Sequence, residues 1–142
     1  MYAMCATFHP TKNLIASGSL DNTVRLWDYS YLKRKYTTKD GRNTRPDEII
    51  SGNEVELIAS LDGHERGVNW VDFHPKLNMI ASASDDYKIK LWKYTNSRAW
   101  EHDTLYGHNG NVSSVKFHHT LDILISNSED FSTIIWELSR RA

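Results

Sequence analysis

One phrase is written three times in this chain, and that constrains its fold more than any other feature. SGSLDNTVRLWD runs from Ser17 to Asp28, SASDDYKIKLWK occupies 82–93, and SNSEDFSTIIWE occupies 126–137. Aligned on Trp27, Trp92 and Trp136, the copies are 65 and 44 residues apart. Phe8, Phe73 and Phe117 keep those two intervals, as do Asp21, Asp86 and Asp130, and Gly63-His64 and Gly107-His108 are also 44 apart. Several residue types recurring in one frame are a repeat, with an insertion of 21 residues in its first interval.

Each copy reads as strands. YAMCATF at 2–8, GVNWVDF at 67–73 and NVSSVKF at 111–117 alternate apolar with polar and are rich in β-branched and aromatic residues. A short loop leads to a second strand, LIASGS, MIASAS or ILISNS, and then to a polar turn holding the repeated Asp. A third strand ends in the repeated Trp, and VELIASL at 55–61 and EHDTLYG at 101–107 read as fourth strands. No segment has a convincing helical period, so the class is all-β. A period near 44, opened by Gly-His and closed by Trp, is that of a four-stranded β-propeller blade. The expected organisation is three antiparallel blades of one propeller, at about 1–62, 63–106 and 107–142, the last without its fourth strand. Residues 31–54 are expected to be a flexible insertion between the third and fourth strands of the first blade, its KRK at 33–35 a solvated basic run that could touch acidic lipid. Three blades close no ring, so bare end faces and a tendency to self-associate are expected.

The phrase resembles the WD-repeat family. In that family the Gly-His histidine, a second-strand serine, the turn aspartate and the third-strand tryptophan form a hydrogen-bonded set. The physics is sound: a buried turn carboxylate needs donors, an imidazole N–H supplies one, and a hydroxyl bridges imidazole and indole. The resemblance assigns His64, Ser82, Asp86 and Trp92 to the second copy and His108, Ser126, Asp130 and Trp136 to the third. Ser17, Asp21 and Trp27 belong to the first, which has no Gly-His ahead of it. Ser84 and Ser128 remain alternative serines.

Several functions find little support. A His/Ser/Asp grouping that returns with every blade braces a fold and is not a catalytic triad, and no G-x-S-x-G elbow occurs, so no enzyme and no catalytic residue are expected. His9, His74 and His118 follow the repeated Phe and so track the repeat; with one cysteine and no C-x-x-C, neither a metal nor a cofactor is expected. Cys5 reads as a packing thiol in an inner strand, and Trp70 and Trp100 as packing aromatics, the latter ahead of the fourth strand. Seventeen Lys and Arg against eighteen Asp and Glu give no polyanion attraction, so no nucleic-acid partner is expected. A single cysteine suits a reducing compartment, and the N-terminal MYAMCATFHP does not read as a signal peptide.

The non-repeated words are more specific. GHERGVNWVDFHP at 63–75, SRAWEHDTLYGHNGNVSSVKFHH at 97–119 and ILISNSED at 123–130 resemble the N-terminal propeller of coatomer α subunits, of the COPI vesicle coat. YAMCATFHPTKNLIASGSLDNTVRLWD is similar to the preceding blade of that propeller. Coatomer β′ subunits come second, since SRAWE with its following DT favours α. The resemblance implies a non-enzymatic coat subunit, cytoplasmic and peripheral on Golgi membrane and vesicles. Its partners would be other coatomer subunits and cargo tails bearing a dilysine signal, returned from Golgi to ER. The alternative is a WD-repeat scaffold of another complex that ignores dilysine. Tyr2 is the position that matches a family peptide contact, with Asp21 a weaker match. Geometry alone adds Asp85 and Glu129, surplus carboxylates beside the structural aspartates, and polar Glu65, Arg66, Asn109 and Asn111 just past Gly-His.

Overall fold

Alternating stretches become strands, and consecutive strands pair. The structure, a computed structural model, describes residues 2–32 and 55–140. The first sheet holds β1 (Ala3–Phe8), β2 (Leu14–Ser19), β3 (Val24–Asp28) and β4 (Glu56–Leu61). The second holds β5 (Val68–Phe73), β6 (Met79–Ser84), β7 (Ile89–Tyr94) and β8 (Ala99–Leu105). The third holds β9 (Val112–Phe117), β10 (Ile123–Ser128) and β11 (Thr133–Glu137). Every pair is antiparallel and each sheet is a meander in sequence order.

The sheets stack face to face, and burial follows from position in the stack. In the middle sheet all of β6 is buried, because both of its faces meet a neighbour. Leu14, Ala16, Val24 and Leu26 of the first sheet pack on Val68, Val71, Phe73 and Ile80 of the second. Ala81, Ala83 and Leu91 of the second pack on Val112, Val115, Phe117 and Leu124 of the third. Each fully buried aliphatic contributes roughly 1.5–3 kcal/mol. The approach is close: a Cβ on Gly18 would lie 2.8 Å from Val68 Cγ1. The outer faces are open, with Met4 and Phe8 exposed on the first sheet and Ile125 and Ile135 on the third.

Repeat equivalence extends to irregularities. The first strand of every sheet carries a bulge at the same place, which sets Met4, Asn69 and Ser113 out of register. Such a bulge re-aims a side chain. The histidine after the first strand has one task in each copy. Nδ1 of His9 accepts the N–H of Thr11 and Lys12, that of His74 accepts Lys76 and Leu77, and that of His118 accepts Thr120 and Leu121. The rings of His9 and His74 also meet, edge to face, the phenyl of the next sheet, Phe73 and Phe117, with centroids 4.9 Å apart.

The structure differs from the sequence reading in three places. One helical turn occurs at 30–32. β8 starts at Ala99, so Trp100 lies inside the strand opposite Lys93. Trp70 and Trp100 are 44% and 38% exposed and are not core aromatics; Arg98 covers the Trp100 ring at 4.9 Å. Cys5 packs against the core as expected but is only half-buried, its thiol 3.9 Å from the Val71 carbonyl, and burial raises its pKa. The insertion joins β3 to β4, but KRK at 33–35 and the rest of 33–54 lie outside the described residues.

Candidate functional site

The second sheet shows the repeated polar set most fully. His64 Nδ1 lies 2.8 Å from Asp86 Oδ2, and its Nε2 lies 2.6 Å from Ser82 Oγ. Trp92 Nε1 donates to the same oxygen at 2.8 Å. One proton arrangement satisfies all of it: Nδ1–H donates to the carboxylate, the serine hydroxyl donates to Nε2, and the indole donates to the serine. Asp86 also accepts the backbone N–H groups of Glu65 and Lys88. Burial pushes the Asp86 carboxyl up, but His64 and the backbone donors outweigh it and hold it at about 2.

The third sheet repeats the set. His108 Nδ1 is 3.0 Å from Asp130 and its Nε2 2.7 Å from Ser126, to which Trp136 donates at 2.8 Å. Bonds from the Ser132 hydroxyl, the Asn109 N–H and His108 hold the Asp130 carboxyl far below the usual range. Gly63 and Gly107 belong to the same geometry: a Cβ on either would lie 3.0 or 2.9 Å from Cη2 of Trp92 or Trp136. In the first sheet Trp27 donates to Ser17 at 3.0 Å, while Asp21 turns to the Thr23 hydroxyl and to Arg25 at 2.8 Å. Those bonds likewise hold the Asp21 carboxyl far below the usual range. Ser84 and Ser128, the alternative serines, sit at strand ends and accept the Asp86 and Asp130 N–H.

These turns and the loops before each first strand form one end of the stack. The Tyr2 carbonyl accepts from Ser19 Oγ and from the Leu20 N–H, and its side chain is 76% exposed. Asp85 N–H donates to the Gly67 carbonyl and Glu129 N–H to that of Asn111, bonds equivalent to that from Leu20 to Tyr2. Tyr2, Asp85 and Glu129 therefore stand on one face, along with the turn that carries Asp21. Asp85, beside the structural Asp86, has a neutral side-chain partner. Asn69, re-aimed by the bulge, donates one amide group to Asp85 at 2.6 Å and to the Val112 carbonyl at 3.1 Å, tying the second sheet to the third. Glu129 is exposed.

Sequence reasoning missed two features of this face. Asn69 needs the position of the neighbouring sheet to be understood. Asn22, Tyr87 and Phe131 share one repeat position and all have positive φ, at 72°, 71° and 69°. The signal for the second was present: two bulky aromatics where the first copy has Asn.

Comparison with known proteins follows this geometry. The family described as "WD domain, G-beta repeat" matches residues 2–28, 55–93 and 101–137, more than half of the chain. The coatomer subunit alpha of Dictyostelium discoideum is 48% identical over 71 residues, 46% of this chain and 6% of that protein. Coatomer subunit alpha-3 of Oryza sativa is 45% identical over 58 residues, 41% of this chain and 5% of that protein. The Saccharomyces cerevisiae coatomer subunit alpha is 45% identical over 58 residues, 39% of this chain and 5% of that protein. The chain thus spans about one-twentieth of the length of these curated relatives. Three matched repeats, each folded as a meander and two of them closed by the full His–Ser–Asp–Trp set, make this chain a member of the WD-repeat family.

Proposed function

We propose that this chain is part of a non-enzymatic coatomer-type coat subunit, and that the face bearing Tyr2, Asp85 and Glu129 binds basic, dilysine-type cytosolic tails. The observation that carries this reading is the gathering of an exposed phenol and two carboxylates on one face of a chain similar to coatomer α subunits. A lysine tail offers ammonium groups and a terminal carboxylate. Carboxylates and a phenol suit the former, and Arg66, exposed one loop away, suits the latter. Asp21 is a minor contributor, since Arg25 already neutralises it. Such a subunit would work in the cytoplasm, peripherally on Golgi membrane and vesicles, with other coatomer subunits as partners.

The test is a fluorescence-anisotropy titration with a peptide ending Lys-Lys-x-x against one ending Ser-Ser-x-x, with Tyr2→Ala alongside. Selective binding of the dilysine peptide, weakened by Tyr2→Ala, supports the reading. Equal response to both peptides by the folded protein sinks it and leaves a WD-repeat scaffold of another complex.

A further inference from the structure

The turn after the second strand must place one residue in the left-handed region, with φ near 70° in all three copies. Asn22 meets that demand cheaply, because asparagine tolerates the conformation. Tyr87 and Phe131 do not: a bulky aromatic at positive φ is strained, and stability alone selects Gly or Asn there. Neither ring belongs to the buried core. Tyr87 is 44% exposed and Phe131 fully exposed, at 103%. Two residues that are both strained and exposed, at equivalent places on one face, point to a contact made outside the chain.

Their neighbours give that contact its chemistry. The second and third copies read Asp85-Asp86-Tyr87 and Glu129-Asp130-Phe131, whereas the first reads Leu20-Asp21-Asn22. Acid and aromatic arrive together, in the same two copies. Asp86 and Asp130 are occupied by His64 and His108. Among the described residues the Asp85 carboxylate accepts the neutral Asn69 amide, and Glu129 is exposed. Both turns border residues 111–112: Asn69 links Asp85 to the Val112 carbonyl, and the Glu129 N–H binds the Asn111 carbonyl. The cations nearby do not cancel this. Lys88 is paired with Glu65 at 3.2 Å and leans over the Tyr106 ring, and Arg66 lies on the loop beyond.

We infer that Tyr87 and Phe131 are specificity-determining contact residues for a lysine-bearing peptide lying across the seam between the second and third sheets. Their ring faces take the lysine stems and ammonium groups, and Asp85 and Glu129 supply the opposite charge. The inference rests on the reading of this face as a binder of basic tails and adds which residues select the tail.

Tyr87→Asn, Phe131→Asn and the double variant test it, because Asn relieves the strain while removing the ring. Denaturant midpoints are measured alongside anisotropy titrations with three peptides: one ending Lys-Lys-x-x, its C-terminal carboxamide, and one ending Ser-Ser-x-x. Each single substitution is expected to weaken binding of the dilysine peptide roughly threefold and the double about tenfold, with midpoints held or raised. If dilysine selectivity persists and the variants bind within twofold of the parent, the inference is overturned and the tail reading stands. Lower midpoints together with weaker binding make the rings structural and overturn it too. If carboxamide and free tail bind equally and the variants weaken both, the terminal-tail reading fails and the inference holds. No binding of any peptide overturns both.

Discussion

Trp92 donates its indole N–H to Ser82 Oγ at 2.8 Å, and Trp136 makes the same bond to Ser126 at the same distance. The hydroxyl so held is also the partner of His64, which in turn meets Asp86. Sheet and turn are thereby joined through one oxygen atom.

Removing that oxygen is expected to be costly in proportion to how much hangs on it. Ser82→Ala leaves a buried indole N–H and a buried imidazole nitrogen unpaired, a loss of about 2–4 kcal/mol. Ser17→Ala frees only the Trp27 N–H, in a half-buried place with no histidine, and should cost about 1 kcal/mol. Denaturant unfolding of the two variants measures the difference, and equal losses would break the network account.

The strands were legible because period-two alternation repeats in one frame, and the polar set because its four members recur together. Alternation alone does not choose Ser82 over Ser84; the resemblance does. The two lie two residues apart on one strand and share a face. The position of Trp92 across the ladder shows that Ser82 is the bridge. The Asn69–Asp85 bond was hidden for another reason: it depends on a bulge and on the adjacent sheet, neither of which has a sequence marker. The sequence places Trp100 ahead of the fourth strand, whereas the bulge opposite Leu91 and Trp92 breaks the alternation through which β8 continues back to Ala99.

His9 and His74 should give the protein an acid limit near neutrality. Each accepts two backbone N–H groups at Nδ1 and must leave that nitrogen unprotonated to do so. Burial lowers the pKa of His9, helped by nearby Lys12, and that of His74, where Asp122 opposes it. A lowered folded pKa means that the unfolded chain takes the proton first. Stability is therefore intact above the ordinary histidine pKa of roughly 6.5 and falls as pH drops below it. Urea midpoints at successive pH values from neutral downward should decline. His74→Asn keeps an acceptor that does not titrate and should flatten the slope.

Lys90 is a buried lysine on β7 and depends on one exposed-side partner. Its ammonium pairs with Glu101 and donates to Thr104 Oγ1 at 2.9 Å. Burial opposes ionisation of Glu101, but the bonds from Lys90 and Thr104 prevail and hold its carboxyl below the usual range. Glu101→Ala strands the charge and should cost roughly 2–3 kcal/mol, less than a fully buried pair because water reaches the glutamate. Lys90→Met should be close to neutral, and adding it to Glu101→Ala should recover most of the loss. A double variant no more stable than Glu101→Ala would mean that the lysine stem, not its charge, is what matters.

Tyr94 has the ring of a core residue and a hydroxyl with no hydrogen-bond partner among the described residues. The ring meets Phe73 edge to face at 6.0 Å, with Lys12 above it at 5.7 Å. Tyr94→Phe keeps these contacts and removes the orphaned polar atom. It should hold stability or raise it by about 1 kcal/mol. Tyr94→Ala should cost roughly 3–5 kcal/mol through the cavity it leaves. Burial pushes the phenol to about 12, so the unfolded chain, with an ordinary value of roughly 10, loses its proton first as pH rises. The parent should therefore lose stability progressively as pH climbs from the ordinary tyrosine value towards 12, and Tyr94→Phe should lose less over the same span. Parallel alkaline melts of parent and variant would refute this if their slopes coincide.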